Sequence, residues 1–332
     1  MNGVRCISKR LSGVLLSIAM VLAITGCETA NIPQPFQADN PASVYSVLEG
    51  ENTGFSDSFA SDLCVINNDK TDLKIDMTGS ESAGLFDLNH KQVLYGINVH
   101  KQMNPASLTK VMTALLALEN CKLDDVITAT GDVEVQEPGA QLCGLKEGDT
   151  LTVDQALYAL LIYSGNDVAV AIADHVAGSV EEFSKMMNER AVALGATNSH
   201  FSNPHGLTAS DHYTTAYDLY LIFNEARKWD KFTEIIHSTE YSTVYKDKAG
   251  NNKYMNFKST NLLFDSESGY NVPSNITVIG GKTGTTEAAG ACLILLSNDS
   301  AGNPYISVIM KSDSKNVLYT NMVHLLEGVS AE

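Results

Sequence analysis

Ser107-Leu108-Thr109-Lys110 sets a serine and a lysine three residues apart. Pro105 precedes the string, and apolar residues follow at positions 111, 112, 115, 116 and 118. That spacing predicts a buried helix, with Ser107 in its first turn. Positions i and i+3 share a helix face, so Ser107 and Lys110 can approach each other. A serine hydroxyl is a weak nucleophile and needs a base. A lysine serves as that base only where burial or a nearby cation depresses its pKa. The helix start adds free N–H groups and a positive dipole end, both suited to a developing oxyanion. Taken alone, the string is a weak signal, better explained by a helix cap followed by a surface lysine.

Two further strings carry polar side chains at structural breaks. Ser164-Gly165-Asn166 lies 57 residues after Ser107, between two apolar helical segments. Such a break can place a hydroxyl and an amide in a cleft, or serve as an ordinary helix–helix turn capped by Asn166. Gly281-Lys282-Thr283-Gly284 follows the run Ile276-Thr277-Val278-Ile279 and so lies on a strand or at its end. Lys282 offers a cation and Thr283 a hydroxyl to a carboxylate. The glycines let another backbone approach closely. A phosphate-loop reading fails, because the G-x-x-x-x-G-K-[ST] spacing followed by a helix is absent.

The elements that must position these groups run from about Asp62 to the C-terminus. A hairpin opens the unit, with strands at Gly84–Leu88 and Gln92–Tyr95 and the turn Asn89-His90-Lys91, where Asn89 tolerates a left-handed conformation. Helices are predicted over Val111–Leu118, from the capping box Thr152-Val153-Asp154-Gln155 to about Tyr163, and over Asp167–Val176. Others run from the capping box Ser179-Val180-Glu181-Glu182 to near Gly195, and from Thr215 to about Trp229, read as a packing residue at the helix end. Strands return at Tyr241–Tyr245, Lys253–Phe257, Ile276–Ile279, Ala291–Leu296 and Tyr305–Met310, and a last helix covers about Lys315 to Leu326. Strand, helical cluster and antiparallel strands in that order give an α+β fold, an antiparallel sheet packed against a helical cluster.

The three strings in this order and rough spacing resemble the serine penicillin-recognising enzymes. The longer stretches Pro105–Ala114, Tyr163–Asp167, Asn203-Pro204-His205-Gly206-Leu207 and Gly281–Gly290 resemble the low-molecular-mass D-alanyl-D-alanine carboxypeptidases, from about residue 62 onward. The resemblance implies a β-lactamase/transpeptidase-like fold and a serine acyl-transfer mechanism on peptidoglycan stem pentapeptides, with β-lactams as inhibitors and a place in cell-wall metabolism and cell shape. In it Ser107 is the nucleophile, Lys110 its base and Ser164 the proton donor to the leaving D-alanine. Asn166 holds the substrate amide. Lys282 and Thr283, followed by Gly284, bind the terminal carboxylate. The N–H groups of Ser107 and Thr285 hold the oxyanion. Two alternative readings share the same motifs: a D,D-endopeptidase that cuts cross-links, and a β-lactamase. The E-x-x-L-N-like string that would mark a deacylating glutamate is not found between Asn166 and Lys282.

Composition and termini set the compartment. The chain of 332 residues is 44% hydrophobic and 18% charged, enough to bury a core in one large domain or two modest ones. Its net charge of −17 argues against a phosphate-tracking nucleic-acid binder and against charge-driven docking on anionic lipid. Arg5, Lys9 and Arg10 followed by an apolar run from Leu11 to Ile24 read as an export signal over residues 1–26. Ile24-Thr25-Gly26-Cys27 resembles a lipobox, which makes Cys27 the lipidated first residue of an extracytoplasmic, membrane-anchored lipoprotein. Losing the three basic residues of the leader would take the net charge from −17 to −20. Residues 27–61, with Pro33, Pro35 and Pro41 and no sustained period, read as a flexible tether, and residues 62–332 as the catalytic domain. The β-rich C-terminal domain and amphipathic anchor helix common in the family are expected to be absent. Six cysteines are too few for a disulfide scaffold, and Cys64, Cys121, Cys143 and Cys292 are open to three pairings or none. Cys292, in an apolar strand, reads as core. His205 reads as a turn or packing residue. No cofactor or metal is expected, because the eight histidines show no H-E-x-x-H-like spacing.

Overall fold

The computed structural model describes residues 60–137 and 139–331. The expected leader, Cys27 and the spacer up to residue 59 lie outside the described residues. Among the described residues, no helix is long and apolar enough to cross a membrane.

Five antiparallel strands form the main sheet: β1 (Ser80–Asp87), β2 (Gln92–Ile97), β7 (Ile276–Thr286), β8 (Gly290–Asp299) and β9 (Pro304–Ser312). Their order is β2-β1-β9-β8-β7, so the first hairpin adds to the last three strands and β7 is an edge. Side chains alternate between two cores along each strand, as period 2 requires. Leu293, Leu295 and Ile309 join Leu85 on one face, while Ile294, Ile306, Val308 and Met310 join Phe86 on the other. Because both faces are covered, β8 and β9 read in the sequence as nearly continuous apolar runs rather than as alternation.

Helix α7 (Lys315–Glu327) covers one face with the stripe Leu318, Tyr319, Met322, Leu325 and Leu326. The other face packs on the helical cluster. It contains α1 (Lys110–Asn120), α2 (Val153–Tyr158), α3 (Asn166–Ala177), α4 (Val180–Ala193), α5 (Ala216–Ala226) and α6 (Asp230–His237). The Thr152 capping box forms as expected, with Thr152 Oγ1 accepting from Gln155 N–H and Gln155 Oε1 accepting from Thr152 N–H. Ser179, Thr215 and Ser314 cap their helices through the same N3 bond.

Several details depart from the expectations. In the first hairpin Lys91, not Asn89, takes the left-handed conformation, at φ 57°. The turn is fixed instead by Asp87, whose Oδ1 accepts the N–H groups of Asn89 and His90. The helix begun at Thr215 ends at Ala226 and a separate helix, α6, follows; Trp229 is its N-cap residue and is 38% exposed rather than packed. A second antiparallel sheet, β3-β4-β5-β6, joins the expected hairpin β5 (Glu240–Lys246) and β6 (Asn252–Lys258) to β3 (Val126–Thr128) and β4 (Thr150–Thr152). The latter two have three residues each, too few to show a period. The four described cysteines are free thiols, and Cys292 is buried in the core.

One aromatic stack ties the N-terminal segment to the sheet. Tyr220 lies on Phe86 at 4.2 Å between ring centroids, and its buried hydroxyl accepts the N–H of Cys64 at 2.8 Å. Tyr220→Phe keeps the stack and orphans that N–H, so it should cost about 1–3 kcal/mol in denaturant unfolding, with m unchanged. A loss below about 0.5 kcal/mol would show that the bond contributes nothing.

Candidate active site

The apolar helix expected at Val111 begins at Lys110, and a 3₁₀ turn, Ala106–Thr109, leads into it. Ser107 sits in that turn. Ala106, just before it, holds φ at +49°, a conformation most side chains avoid. Two neighbours fix this geometry. Gly206, itself at φ +87°, lies so close that a Cβ there would stand 1.8 Å from the Ala106 carbonyl oxygen. That carbonyl accepts the Thr109 hydroxyl at 2.9 Å, and Thr109 Oγ1 is 2.8 Å from His212 Nε2. His212 Nδ1 accepts the N–H of Ser202, so Nε2 is the protonated nitrogen and donates to Thr109. Burial brings the His212 pKa down to about 4 and keeps the ring neutral for this role.

Lys110 is fully buried, and its Nζ lies 3.0 Å from Ser107 Oγ, 2.6 Å from Asn166 Oδ1 and 2.7 Å from the His205 carbonyl oxygen. The last two partners only accept. They take two N–H bonds of an amine and leave its lone pair aimed at the serine hydroxyl. Burial, followed by the neighbouring Lys282, pushes the Lys110 pKa well below the ordinary lysine value. In the neutral state the Ser107 O–H donates to Nζ. His205 contributes its backbone. Its ring Nδ1 accepts from Leu207 N–H, and burial brings its pKa down to about 3, which suits the turn role read from the sequence.

Ser164 closes a helical run that changes pitch. After α2, residues Ala159–Tyr163 form a π turn, and Ser164 follows in the left-handed conformation at φ 70°. Gly165 then caps α3, so Asn166 is the first helical residue rather than the cap. The next residue, Asp167, is the group that sequence reasoning passed over. It is buried, and its carboxylate accepts the N–H groups of Cys143, Gly144, Leu145 and Val168. Asn166 N–H donates to the Gln141 carbonyl oxygen at 2.8 Å. Together these bonds pin residues 141–145 beside the cleft. An aspartate in the first turn after a glycine was the available signal; the loop that it holds has none.

The strand β7 supplies the opposite wall. Lys282, pairing with Ile294 of β8, is fully buried, and its Nζ donates to Ser164 Oγ at 3.0 Å and to the Thr283 carbonyl oxygen at 2.8 Å. Burial alone brings its pKa down to about 7. Thr283 Oγ1 lies 2.6 Å from Thr260 Oγ1, a further positioning contact unseen in the sequence. Gly284 packs on the Ser107 turn: a Cβ there would stand 3.0 Å from Ser107 N. Ser107, Ser164, Asn166, Thr283, Gly284 and Thr285 thus line one cleft of about 210 Å³, with Lys110 and Lys282 buried beneath it. The arrangement can activate a hydroxyl, hand a proton across a second hydroxyl, and hold an anion along β7. Of the candidate residues, only Cys27 lies outside the described part of the chain.

A family model described as D-alanyl-D-alanine carboxypeptidase matches residues 69–314. D-alanyl-D-alanine carboxypeptidase DacF of Bacillus subtilis is 35% identical over 221 residues, 64% of this chain and 53% of its own length. DacC of Escherichia coli is 33% identical over 73% of this chain and 59% of its own length. The chain thus spans between half and three fifths of these two relatives. Among solved structures, the Streptomyces K15 DD-transpeptidase superposes with a TM-score of 0.71 at 28% identity, covering 78% of this chain and all of the other.

Removing the Asp167 carboxylate should release the loop it holds. Asp167→Ala should lose about 3 kcal/mol of stability in urea. It should also speed hydrogen exchange at the amides of Cys143, Gly144 and Leu145 by at least about tenfold. Unchanged exchange there would mean that the loop is held by something else.

Proposed function

Because the chain belongs to the D-alanyl-D-alanine carboxypeptidase family, we propose that it is a serine D,D-carboxypeptidase that removes the terminal D-alanine from peptidoglycan stem pentapeptides through an acyl-enzyme. The observation that carries this reading is the buried Lys110 amine, 3.0 Å from Ser107 Oγ and bonded otherwise only to acceptors. Lys110 takes the Ser107 proton as Oγ attacks the carbonyl between the two D-alanines. The N–H groups of Ser107 and Thr285 stabilise the oxyanion. As the tetrahedral intermediate collapses, the proton taken up by Lys110 passes through the Ser164 hydroxyl, oriented by Lys282 Nζ at 3.0 Å, to the leaving nitrogen, which returns Lys110 to its neutral form. Asn166 holds the substrate amide and orients Lys110. Thr283 and Lys282 bind the terminal carboxylate at Gly284, on the free edge of β7, where an extended peptide can add alongside the strand. Water then attacks the acyl group, with Lys110 as base, and frees the shortened peptide.

β-Lactams resemble the D-Ala-D-Ala end and acylate Ser107 by the same route. The Streptomyces neighbour is a DD-transpeptidase, so an amine in place of water is the second fate to test for the acyl-enzyme. The membrane is the partner at the other end of the chain. After export, Cys27 carries the lipid that holds the enzyme extracytoplasmically at the cell membrane, with residues 28–61 as spacer.

Free D-alanine released from a stem pentapeptide is the direct measurement, with and without an amine acceptor. Ser107→Ala should lower release by roughly 10⁴-fold or more while the fold is kept. Intact mass should show a lasting penicillin adduct on the parent alone, and added diacylglyceryl mass on chain recovered from membranes. No release from folded parent protein overturns the assignment; rapid adduct loss with drug hydrolysis would make it a β-lactamase.

The pH dependence follows from the two lysines. Lys110 acts only when neutral, so the second-order rate of β-lactam acylation should fall as pH drops through its depressed pKa. Lys282 is one of the groups holding that pKa down. Lys282→Ala should therefore move the acid limb to higher pH, besides weakening the rate. A limb that stays in place would remove Lys110 as the titrating base.

A further inference from the structure

Helices α1 and α3 both start at the cleft and come together again at their far ends. α1 stops at Asn120, where Cys121 turns extended, and α3 carries His175 in its last turn. The Cys121 thiol, a carboxylate oxygen of Asp125 and an imidazole nitrogen of His175 all lie within 4.8 Å of one another. We infer that Cys121, Asp125 and His175 form a binding site for a divalent cation of the zinc class, with water as the fourth ligand.

The donor set selects the ion. Thiolate, imidazole and carboxylate are the ligands zinc takes, whereas calcium and magnesium demand oxygen alone. With zinc bonds of about 2.0–2.3 Å, tetrahedral donors stand about 3.4–3.8 Å apart. The donors, all within 4.8 Å of one another, thus need to close by about 1 Å on binding. The ligands are also pre-set. The turn 122–125 closes through Asp125 N–H to the Lys122 carbonyl oxygen, and Lys122 N–H donates back to Asp125 Oδ2 at 2.8 Å. That bond orients the carboxylate as outer-sphere bonds orient metal ligands. Among the described residues, neither Asp125 nor His175 is engaged in an ion pair that a cation would have to displace. Cys121 and Asp125 are half-buried and His175 is exposed, so the donors converge from the protein side and leave one position to solvent.

Binding takes Cys121 as thiolate, its proton passing to bulk water, and no redox change is involved. Cys121 and Asp125 are four residues apart, but His175 lies 50 residues further on, so no contiguous motif reveals the group. The site lies roughly 15 Å along the helices from Lys110 and Asn166, at about 1.5 Å per residue. It therefore takes no part in bond making. It would cross-link the last turns of the two helices whose first turns carry those residues.

The test uses the full chain, stripped with a chelator and then dialysed against Zn²⁺ or Co²⁺. The parent should take up about one equivalent of zinc at this site and gain about 5 °C in Tm at a hundredfold excess over Kd. Co²⁺ should give a thiolate-to-cobalt charge-transfer band that Cys121→Ser abolishes. His175→Ala, an exposed substitution that leaves the fold intact, should weaken zinc binding roughly tenfold or more. Folded parent protein that takes up no zinc overturns the inference. So do zinc uptake and a Tm rise that are the same in the parent and both variants.

Discussion

Two lysine amines sit fully buried in this protein, and the nearest groups to both are neutral oxygens. Lys110 faces a hydroxyl, an amide oxygen and a backbone carbonyl; Lys282 faces a hydroxyl and a backbone carbonyl. A carboxylate beside either would have favoured its charged form. The buried acid Asp167 accepts four backbone N–H groups instead, and only partly offsets the fall of the Lys110 pKa. Desolvation then favours the neutral amines, and Lys282 further disfavours a proton on Lys110. The architecture around the cleft keeps bulk water and the protein's own carboxylates off this pair.

That enclosure is built at the cost of backbone comfort. Ala106 and Ser164 flank the reacting centre, and both hold the left-handed conformation without being glycine. Such positions cost of order 1 kcal/mol each and persist only where the surroundings dictate them. At Ala106 the surroundings are Gly206, Thr109 and the neutral His212. At Ser164 they are the π turn before it and, packed on the next residue Gly165, the 141–145 loop that Asp167 holds. Strain and charge thus converge on the same few residues, while the two cores on either side of the main sheet supply the rigidity.

The parts of this arrangement that were legible in the sequence are those encoded locally. Ser107, Lys110, Ser164, Asn166, Lys282 and Thr283 stand out because their types recur at short fixed spacings. The Thr152 box and the runs of β8 and β9 are equally local signals. What stayed hidden depends on contacts between distant segments. Nothing near His212 says that it will reach Thr109, 103 residues away, and nothing near Asp167 says that it will gather residues 143–145. β3 and β4 are strands only because partners exist for them. α6 was absorbed into its neighbour because Arg227-Lys228-Trp229 contains no glycine or proline to mark the break.

The π turn at Ala159–Tyr163 has a consequence for how this site can be lost or acquired. A π turn is an α-helix with one residue too many, and the surplus is what throws Ser164 off the helix axis and into the cleft. Deleting a single residue there would restore α pitch and turn the next residue by about 100° around the axis, swinging the hydroxyl away from Lys282. Every reacting side chain would keep its identity. In this region the reading frame of the helix, counted in residues per turn, is as much a part of the chemistry as the residues themselves.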